Sequence, residues 1–296
     1  MYQIQVKHDP YLGIYVDSFL LTTKDAFVMI DGGLYGQHEK VKDCMQDRQS
    51  ILLCTHGHWD HIGMLKSFQD MGGRVLANVG DRPYFEDHDW HWQELFGQFS
   101  KDFDLPSKRR EIYLERVGSP VKPEYLLEDG MIVKAGDMAF KVISIPGHSL
   151  GSVCFLEENT GDLFTGDGLI GRGFFNGTPQ YSNVTQYIAS MEKLKQINCS
   201  MVYSDHIPPV SGKYLAQIAQ EGIDCCLRID DVVKEYVDRH SKDNDLSLGE
   251  IIQAIGQAEQ RNAGAGTCVT ALAHLETIND PPLCVQNCLS RYIHGI

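Results

Sequence analysis

Short apolar runs, some alternating with polar residues, predict β-strands along the first two thirds of the chain. Residues 13–22 alternate, and residues 26–30 are continuously apolar. The polar residues 23–25 lie between them, so we expect two strands joined by a turn. Further strands are predicted at residues 1–10, 50–54, 75–79, 138–145, 152–157, 163–165 and 201–204.

Apolar residues spaced three and four apart predict helices between and after these strands. One helix is expected to begin near Ile62 and to end at Gly72-Gly73. Strands interleaved with helices indicate an α/β domain over residues 1–210, and purely helical patterns indicate a helical C-terminal region over residues 211–296. Other helices are predicted at residues 184–197, 247–260 and 267–278, the last two joined by a glycine-rich segment at residues 262–266.

An aromatic-rich segment at residues 80–123 interrupts this alternation. Its aromatic residues recur at spacings typical of a helix with one apolar face, which either packs on the core or forms a lid over a substrate pocket. A packed lid would do both. The aromatic residues are Trp90, Trp92, Phe96, Phe99 and Phe103.

The composition is that of a globular protein. The 296 residues are 43% hydrophobic and 22% charged, which excludes a disordered or fibrous chain. No apolar run approaches the ~20 residues that cross a bilayer. The first ten residues lack the basic and apolar pattern of a signal peptide, so we expect a cytoplasmic protein with no membrane segment.

The charge disfavours nucleic acid as a partner. The formal net charge is −14, and nucleic-acid affinity depends on basic residues that neutralise phosphates. The one compact basic cluster is short and consists of Lys108, Arg109 and Arg110.

The nine cysteines are not expected to form structural disulfides in a cytosolic chain. Cys54 and Cys154 lie within apolar strands and are interpreted as core residues. Cys284 and Cys288 have a spacing that can bind a metal. No second pair accompanies them, which favours ordinary core or surface thiols.

Four residues of metal-ligand type fall within six positions directly after the strand at residues 50–54. They are His56, His58, Asp60 and His61. Histidines two apart in an extended segment point the same way. Imidazoles with a carboxylate suit a divalent metal, and two adjacent ions form a clamp for displacement reactions. A single histidine is more often structural, but this density indicates a metal site.

The chain resembles the metallo-β-lactamase superfamily over about residues 1–210. The family signature H-x-H-x-D-H matches residues 56–61, and the P-G-H-[ST]-x-G-S motif matches residues 146–152. Three further features match the family pattern. They are the Asp-Gly-Gly turn at residues 31–33, Asp167 after an apolar strand and His206 after a later strand. The resemblance implies a four-layer αββα sandwich with metals at one edge of its two sheets.

The resemblance also implies a division of ligands between two ions. His56, His58 and His148 would hold the first, Asp60, His61 and His206 the second, and Asp167 would bridge both. Asp60 would also act in catalysis by orienting groups or accepting a proton. Zinc suits these ligands best, with iron or manganese as alternatives. Asp31 is expected to support a ligand imidazole, Gly57 and Gly63 to let the backbone pass close to the ions, and His88, His91 and His274 to be non-ligands.

The bridging aspartate is similar to that of glyoxalase II, the acyl-homoserine lactonases and the lactamase-like nucleases. Family β-lactamases usually lack it and are generally exported, so antibiotic hydrolysis is disfavoured. In the loop after Asp167, the aromatic residues Phe174, Phe175 and Tyr181 are candidates for substrate binding. Residues 267–276 resemble the helical, winged-helix-like tail of lactamase-like hydrolases.

These observations predict a hydrolase that cleaves a small ester, thioester or lactone with a metal-bound hydroxide. The substrate is expected to be a small molecule, and homodimerisation is common in such enzymes. The first alternative is a metal-dependent endoribonuclease or phosphodiesterase with the same centre. The second is a persulfide dioxygenase that uses a single iron and a subset of these ligands.

Overall fold

The computed structural model describes residues 2–5, 16–36, 38–102, 108–170 and 177–292. Within these residues, twelve strands form two six-stranded sheets that pack face to face. Helices cover the outer face of each sheet. The molecule therefore has the predicted four-layer αββα arrangement.

The first sheet has the strand order β1-β2-β3-β4-β5-β6. Its first three strands are antiparallel, and β3 to β6 are parallel. The strands are β1 (Tyr2–Gln5), β2 (Asp17–Thr22), β3 (Ala26–Ile30), β4 (Gln49–Leu53), β5 (Arg74–Ala77) and β6 (Glu124–Tyr125).

The second sheet has the order β12-β11-β10-β9-β8-β7 and is antiparallel except for the parallel pair β10 and β11. The strands are β7 (Ile132–Ala135), β8 (Met138–Ser144), β9 (Val153–Glu157), β10 (Asp162–Phe164), β11 (Met201–Ser204) and β12 (Ile207–Ser211). The edge strand β12 was not expected from its sequence, because Pro208 and Pro209 disfavour strands that must donate hydrogen bonds on both sides.

The helices lie in three groups. The first covers the outer face of the first sheet, and the second covers that of the second sheet. The third forms the C-terminal region. The helices are α1 (His38–Met45), α2 (Leu65–Asp70), α3 (Arg82–Glu86), α4 (His88–Leu95), α5 (Arg109–Val117), α6 (Val184–Leu194), α7 (Leu215–Arg239), α8 (Leu248–Glu259), α9 (Ala265–Leu275) and α10 (Leu283–Leu289).

Strand β3 is apolar at every position because both of its faces are buried. Phe27 and Met29 face the cluster that contains Phe68 of α2. Val28 and Ile30 face the second sheet in the cluster between the two sheets. Burial of both faces thus explains why residues 26–30 do not alternate between apolar and polar side chains.

The C-terminal region is helical. The first half of α7 packs in the cluster of α6 through Ile223, and the second half packs with α8, α9 and α10 through Val233. The described residues after 215 form helices and no named strand, so a β-hairpin like that of a winged helix is not seen in this part of the chain. The predicted domain boundary near residue 210 stays a prediction.

The aromatic segment at residues 80–123 packs on the core, with α3, α4 and α5 in its described part. Trp92 and Phe96 are buried there, whereas Phe103 lies outside the described residues. Helix α2 begins at Leu65 rather than near Ile62. The residues on either side of Ile62 instead form hydrogen bonds with the turn at residues 31–33. Gly32 N–H donates to His61 O at 2.6 Å, and Gly63 N–H donates to Gly33 O at 2.7 Å.

The cysteines of the described chain are free thiols. Cys54 and Cys154 are buried in the strand cores as predicted, and Cys284 and Cys288 are buried among the C-terminal helices. Among the described residues, neither of this last pair belongs to a group that can hold a metal. No helix in the described part of the chain is long and apolar enough to cross a membrane.

Candidate metal centre

The residues predicted to bind metal lie in loops that follow the carboxyl ends of strands. His56, His58, Asp60 and His61 follow β4, and the other three follow β8, β10 and β11. The two sheets place these loops at one edge of the sandwich. There, each of the seven side chains lies close to at least one of the other six. The three that follow later strands are His148, Asp167 and His206.

The first histidine group has its ring nitrogens close together. His148 Nε2 lies 3.2 Å from His56 Nε2 and 2.9 Å from His58 Nδ1. Nitrogens held at about 2.0–2.1 Å from one tetrahedral ion are separated by roughly 3.3 Å. The spacing of these three atoms therefore fits ligation of a single metal ion.

The second group combines a carboxylate with two imidazoles. His206 Nε2 lies 3.3 Å from Asp60 Oδ2, and His61 Nε2 lies 3.9 Å from Asp60 Oδ1. All three side chains are buried or nearly so, and their ligand atoms lie within 4.8 Å of one another. This group can hold a second ion.

Asp167 lies between the two groups. Its Oδ2 faces the first group, 3.7 Å from His148 Nε2 and 4.0 Å from His56 Nε2. Its Oδ1 faces the second, 3.4 Å from both His61 Nε2 and His206 Nε2. One carboxylate thus presents a different oxygen to each group, which is the geometry that a bridging ligand requires.

The electrostatics of the two groups differ. Burial lowers the pKa of His56 and His58 well below the usual value, which keeps these imidazoles in the neutral form that binds metal. Burial also acts to lower the pKa of His206, but the carboxylates of Asp167 and Asp60 outweigh it and raise the value to about 10. The same balance raises the pKa of His61. The second group therefore attracts positive charge.

Hydrogen bonds fix the orientation of the ligand rings. His148 Nδ1 donates to the backbone carbonyl of Gln180 at 2.7 Å, and His56 Nδ1 lies 3.0 Å from Thr55 Oγ1. Thr55 Oγ1 donates in turn to Asp31 Oδ2 at 2.6 Å. With Nδ1 so occupied, each ring turns Nε2 toward the metal group, as second-layer contacts do in metal sites.

Asp31 supports His61 as predicted. Its Oδ2 lies 3.1 Å from His61 Nδ1, and its Oδ1 accepts a hydrogen bond from Thr55 N–H at 2.6 Å. Asp205 Oδ2 lies 3.0 Å from the same His61 nitrogen. The sequence shows only that Asp205 precedes His206. Its contact with His61 could not be predicted, because it depends on how closely the end of β11 approaches the loop after β4.

Asp81 was also missed by the sequence analysis. This buried carboxylate accepts hydrogen bonds from Gly57 N–H, from Ser149 Oγ and from Gly151 N–H, each at 2.7 Å. It therefore joins the loop of the first three histidines to the loop of His148. No motif marks it, because its three donors come from segments distant in sequence.

Gly57 and Gly63 lie where neighbouring segments of the chain pack closely. A Cβ on Gly57 would lie 2.6 Å from Tyr84 Cβ, and one on Gly63 would lie 2.3 Å from Tyr35 N. These contacts leave no room for a side chain, so the tight packing of neighbouring segments by itself requires glycine at both positions.

A cavity of about 320 Å³ opens over the ligand cluster. Its volume is at the lower end of the range typical of small-molecule sites, roughly 300–1,000 Å³. The aromatic segment contributes Leu95, Phe96 and Arg109 to its lining, and Trp59 adds a further aromatic surface. The remaining wall comes from Gly177, Thr178, Gln180 and residues 262–267, so the C-terminal region is part of the site.

Comparison with known proteins agrees with this geometry. Residues 12–206 match the family model of the metallo-beta-lactamase superfamily. That match covers more than half of the chain and includes all seven residues of the ligand cluster. The chain belongs to the metallo-beta-lactamase superfamily.

Curated relatives within the superfamily include acyl-coenzyme A thioesterases. The chain is 29% identical to the human acyl-coenzyme A thioesterase MBLAC2 over 57% of its own length and 58% of that protein. It is 29% identical to an atrochrysone carboxyl ACP thioesterase of Cryptosporiopsis over 35% of this chain and 32% of that one. The chain spans about half the length of the curated relatives it matches, or less.

Solved structures of the superfamily share the fold. A metallo-beta-lactamase family protein from Thermus thermophilus superposes with a TM-score of 0.72 at 22% identity, over 93% of this chain and 91% of that one. A beta-lactamase domain protein from Burkholderia ambifaria gives 0.69 at 18% identity, over 92% and 85%. Both matches cover more of this chain than the family model does, so they include part of the C-terminal helical region.

The aromatic residues predicted to bind substrate have different outcomes. Phe174 and Phe175 lie outside the described residues. Tyr181 is fully buried and does not line the cavity; its hydroxyl lies 2.8 Å from His274 Nε2. Contacts of Thr178 Oγ1 with Thr267 Oγ1 and of Thr270 Oγ1 with Pro179 O join the same segment to α9. Tyr181 thus anchors the cavity wall from behind.

The remaining histidines lie outside the ligand cluster, as expected. His88 and His91 are buried in α4, and the ring of His91 contacts Tyr84. His274 faces Tyr181 and Asp230 in α9 and α7. None of the three belongs to a metal-binding group among the described residues.

Proposed function

We propose that this chain is a binuclear metallohydrolase that cleaves a small acyl thioester. The position of Asp167 carries the proposal, since each of its carboxylate oxygens faces a different group of metal ligands. The names of the relatives, which include acyl-coenzyme A and acyl carrier protein thioesterases, support a thioester over an ester or a lactone.

The donor atoms divide between two ions. His56 Nε2, His58 Nδ1 and His148 Nε2 would hold one, while Asp60, His61 and His206 would hold the other and Asp167 would contact both. Zinc is the metal that this mixture of imidazole and carboxylate favours, and iron or manganese are the alternatives. Two ions held by these residues would supply a Lewis acid for the carbonyl oxygen and would lower the pKa of a bound water to about 7.

The protein supplies orientation, proton transfer and a dry cavity. Asp60 lines the cavity beside His206, where its carboxylate can accept a proton from the attacking water and return it to the leaving thiolate. Trp59 and Phe96 give the acyl group an apolar surface that excludes other water.

The charge distribution disfavours a phosphodiester substrate. Of the basic cluster at residues 108–110, only Arg109 lines the cavity, and Arg110 is paired with Asp89. A nuclease needs several cations along the path of the phosphate backbone. The net charge of −14 acts in the same direction.

A substrate panel combined with elemental analysis tests the proposal. Purified protein is assayed for metal content and for turnover of acyl thioesters, lactones, phosphodiesters and a persulfide. We expect two metal ions per chain and the highest kcat/KM for a thioester, measured as thiol release. A single iron with oxygen consumption on the persulfide would instead establish a dioxygenase, and preferred cleavage of a phosphodiester would establish the nuclease alternative.

A further inference from the structure

Arg109 is the first residue of α5 and lines the same cavity as the metal ligands. Its guanidinium lies over the ring of Phe96, 5.0 Å from the ring centroid. Its neighbour Arg110 points elsewhere and pairs with Asp89 at 2.5 Å. Arg110 therefore forms an ion pair at the surface, whereas Arg109 lines the cavity.

Arg109 has no acidic partner among the described residues. Its Nε is buried without a hydrogen-bond acceptor, and none of the ion pairs in the described part of the chain includes it. Burial lowers its pKa, with no carboxylate nearby to offset that effect. Burial of Nε without an acceptor is unfavourable, because this donor loses its hydrogen bonds to water and gains none from the protein. The chain contains 40 acidic residues, so this isolation is notable.

We propose that Arg109 binds an anionic group of the substrate, and specifically a carboxylate on the acyl chain. The proposal rests on the thioesterase function and narrows its substrate class to thioesters of dicarboxylic acids. A guanidinium matches a carboxylate with two parallel hydrogen bonds, and stacking on Phe96 holds its plane in place.

The size of the cavity favours the acyl chain as the source of the anion. A volume of about 320 Å³ accommodates a small acyl group next to the scissile bond rather than a large carrier. The first turn of α9 lines the cavity as well, and the partial positive charge of a helix N-terminus adds to that of Arg109. A phosphate of the leaving group is the other possible source of the same charge.

Matched thioesters test the proposal on the metal-loaded protein. Succinyl and butyryl groups are compared on the same uncharged leaving group, N-acetylcysteamine, with wild type, Arg109→Met, Arg109→Lys and the control Arg110→Met. Loss of a charge-assisted pair should lower kcat/KM of Arg109→Met for the succinyl thioester by roughly 10–100-fold. The loss for the butyryl thioester should be less than about threefold on the same grounds. Arg109→Lys should retain part of the preference, and Arg110→Met all of it.

The same acyl pair on coenzyme A distinguishes the two sources of charge. If Arg109→Met impairs both coenzyme A thioesters and neither N-acetylcysteamine thioester, the anion is a phosphate of the leaving group and the carboxylate assignment is overturned. Equal effects on all four substrates, or none on any, would overturn the role of Arg109 in recognition. A thermal melt of each variant excludes misfolding as the cause.

Direct binding separates this inference from the proposed function. Succinate and butyrate are titrated calorimetrically into metal-loaded wild type and Arg109→Met. Tighter binding of succinate that disappears in Arg109→Met supports the inference even if no thioester is cleaved. Thioester cleavage without any preference for succinate would refute the inference and leave the proposed function intact.

Discussion

Asp167 Oδ1 lies 3.4 Å from His61 Nε2, and neither of these buried atoms has a hydrogen-bond partner among the residues that the structure describes. Buried polar atoms without partners are unfavourable, and such atoms in native proteins usually indicate a bound ion or water. Metal ligation by both atoms, as proposed above for Asp167 and His61, would account for this relationship.

Removal of Asp167 should therefore disrupt both ions. We expect Asp167→Ala to bind fewer than two metal ions per chain and to lose at least about 100-fold in kcat, since the two-metal clamp is broken. Metal content is measured by elemental analysis and folding by circular dichroism. Asp70→Ala, at an exposed aspartate paired with Lys66, is the control. Retention of two ions by Asp167→Ala would show that Asp167 is not a bridging ligand.

Asp31→Asn should weaken metal binding without changing a ligand. Asp31 has a positive φ of 55°, which asparagine tolerates, so the variant preserves the turn while removing the charge beside His61 Nδ1. Loss of such a support typically weakens metal binding by about 10–100-fold. Competition with a chromogenic chelator measures the change. Unaltered affinity would mean that Asp205 alone supports His61.

Glu94 should make stability depend on pH. Burial, together with the nearby Glu276, raises the pKa of Glu94 to about 7. Between the ordinary glutamate pKa of ~4.3 and that value, the folded protein binds a proton that the unfolded chain releases, so this contribution to stability falls as pH rises. The side chain of Glu94→Gln stays neutral, so the free energy of unfolding of this variant should exceed that of wild type by roughly 1–3 kcal/mol at about pH 8.

Urea unfolding of Glu94→Gln and wild type in parallel measures this difference. The gap should narrow toward about pH 5, where the wild-type carboxyl is protonated in the folded state. Glu111→Gln, at an exposed position of α5, should show no such trend. A gap that is constant with pH would assign the effect to packing instead of titration.

Tyr181→Phe tests whether Tyr181 supports the cavity wall or contacts substrate. The variant removes the hydroxyl that bonds His274 Nε2 and leaves that buried nitrogen without this partner. We expect a loss of about 1–3 kcal/mol in the free energy of unfolding and less than about a threefold change in kcat/KM. A large rise in KM with unchanged stability would favour the direct substrate contact predicted from sequence.

The parts of the site that could be predicted from sequence are those encoded in short motifs at strand ends. His56, His58, Asp60 and His61 are recognisable because they lie within one loop, and His148 lies within a similarly compact motif. The apolar runs predicted the α/β alternation for the same local reason, whereas the four-layer sandwich was implied by the family resemblance that these motifs carry. Both kinds of pattern depend on residues that are neighbours in the chain.

The residues that were missed or misplaced depend on contacts between distant segments. Asp81 and Arg109 belong to an aromatic segment whose pattern reports helices but not what they face. Tyr181 was expected at the cavity because aromatic loop residues often line one, yet α9 covers it through His274. Such packing is decided by how the C-terminal helices dock, which no local periodicity encodes.

The carbonyl of Gln180 that receives His148 Nδ1–H belongs to the segment that α9 holds through Thr267, Thr270 and His274. Helix α9 thus determines the orientation of the His148 imidazole indirectly, through the segment that contains Gln180. Truncation before α9 would remove the contacts that hold this segment, and with them the constraint on the orientation of the His148 ring. Any change in α9 that displaces residues 178–180 would therefore deprive His148 of the carbonyl that accepts its Nδ1–H.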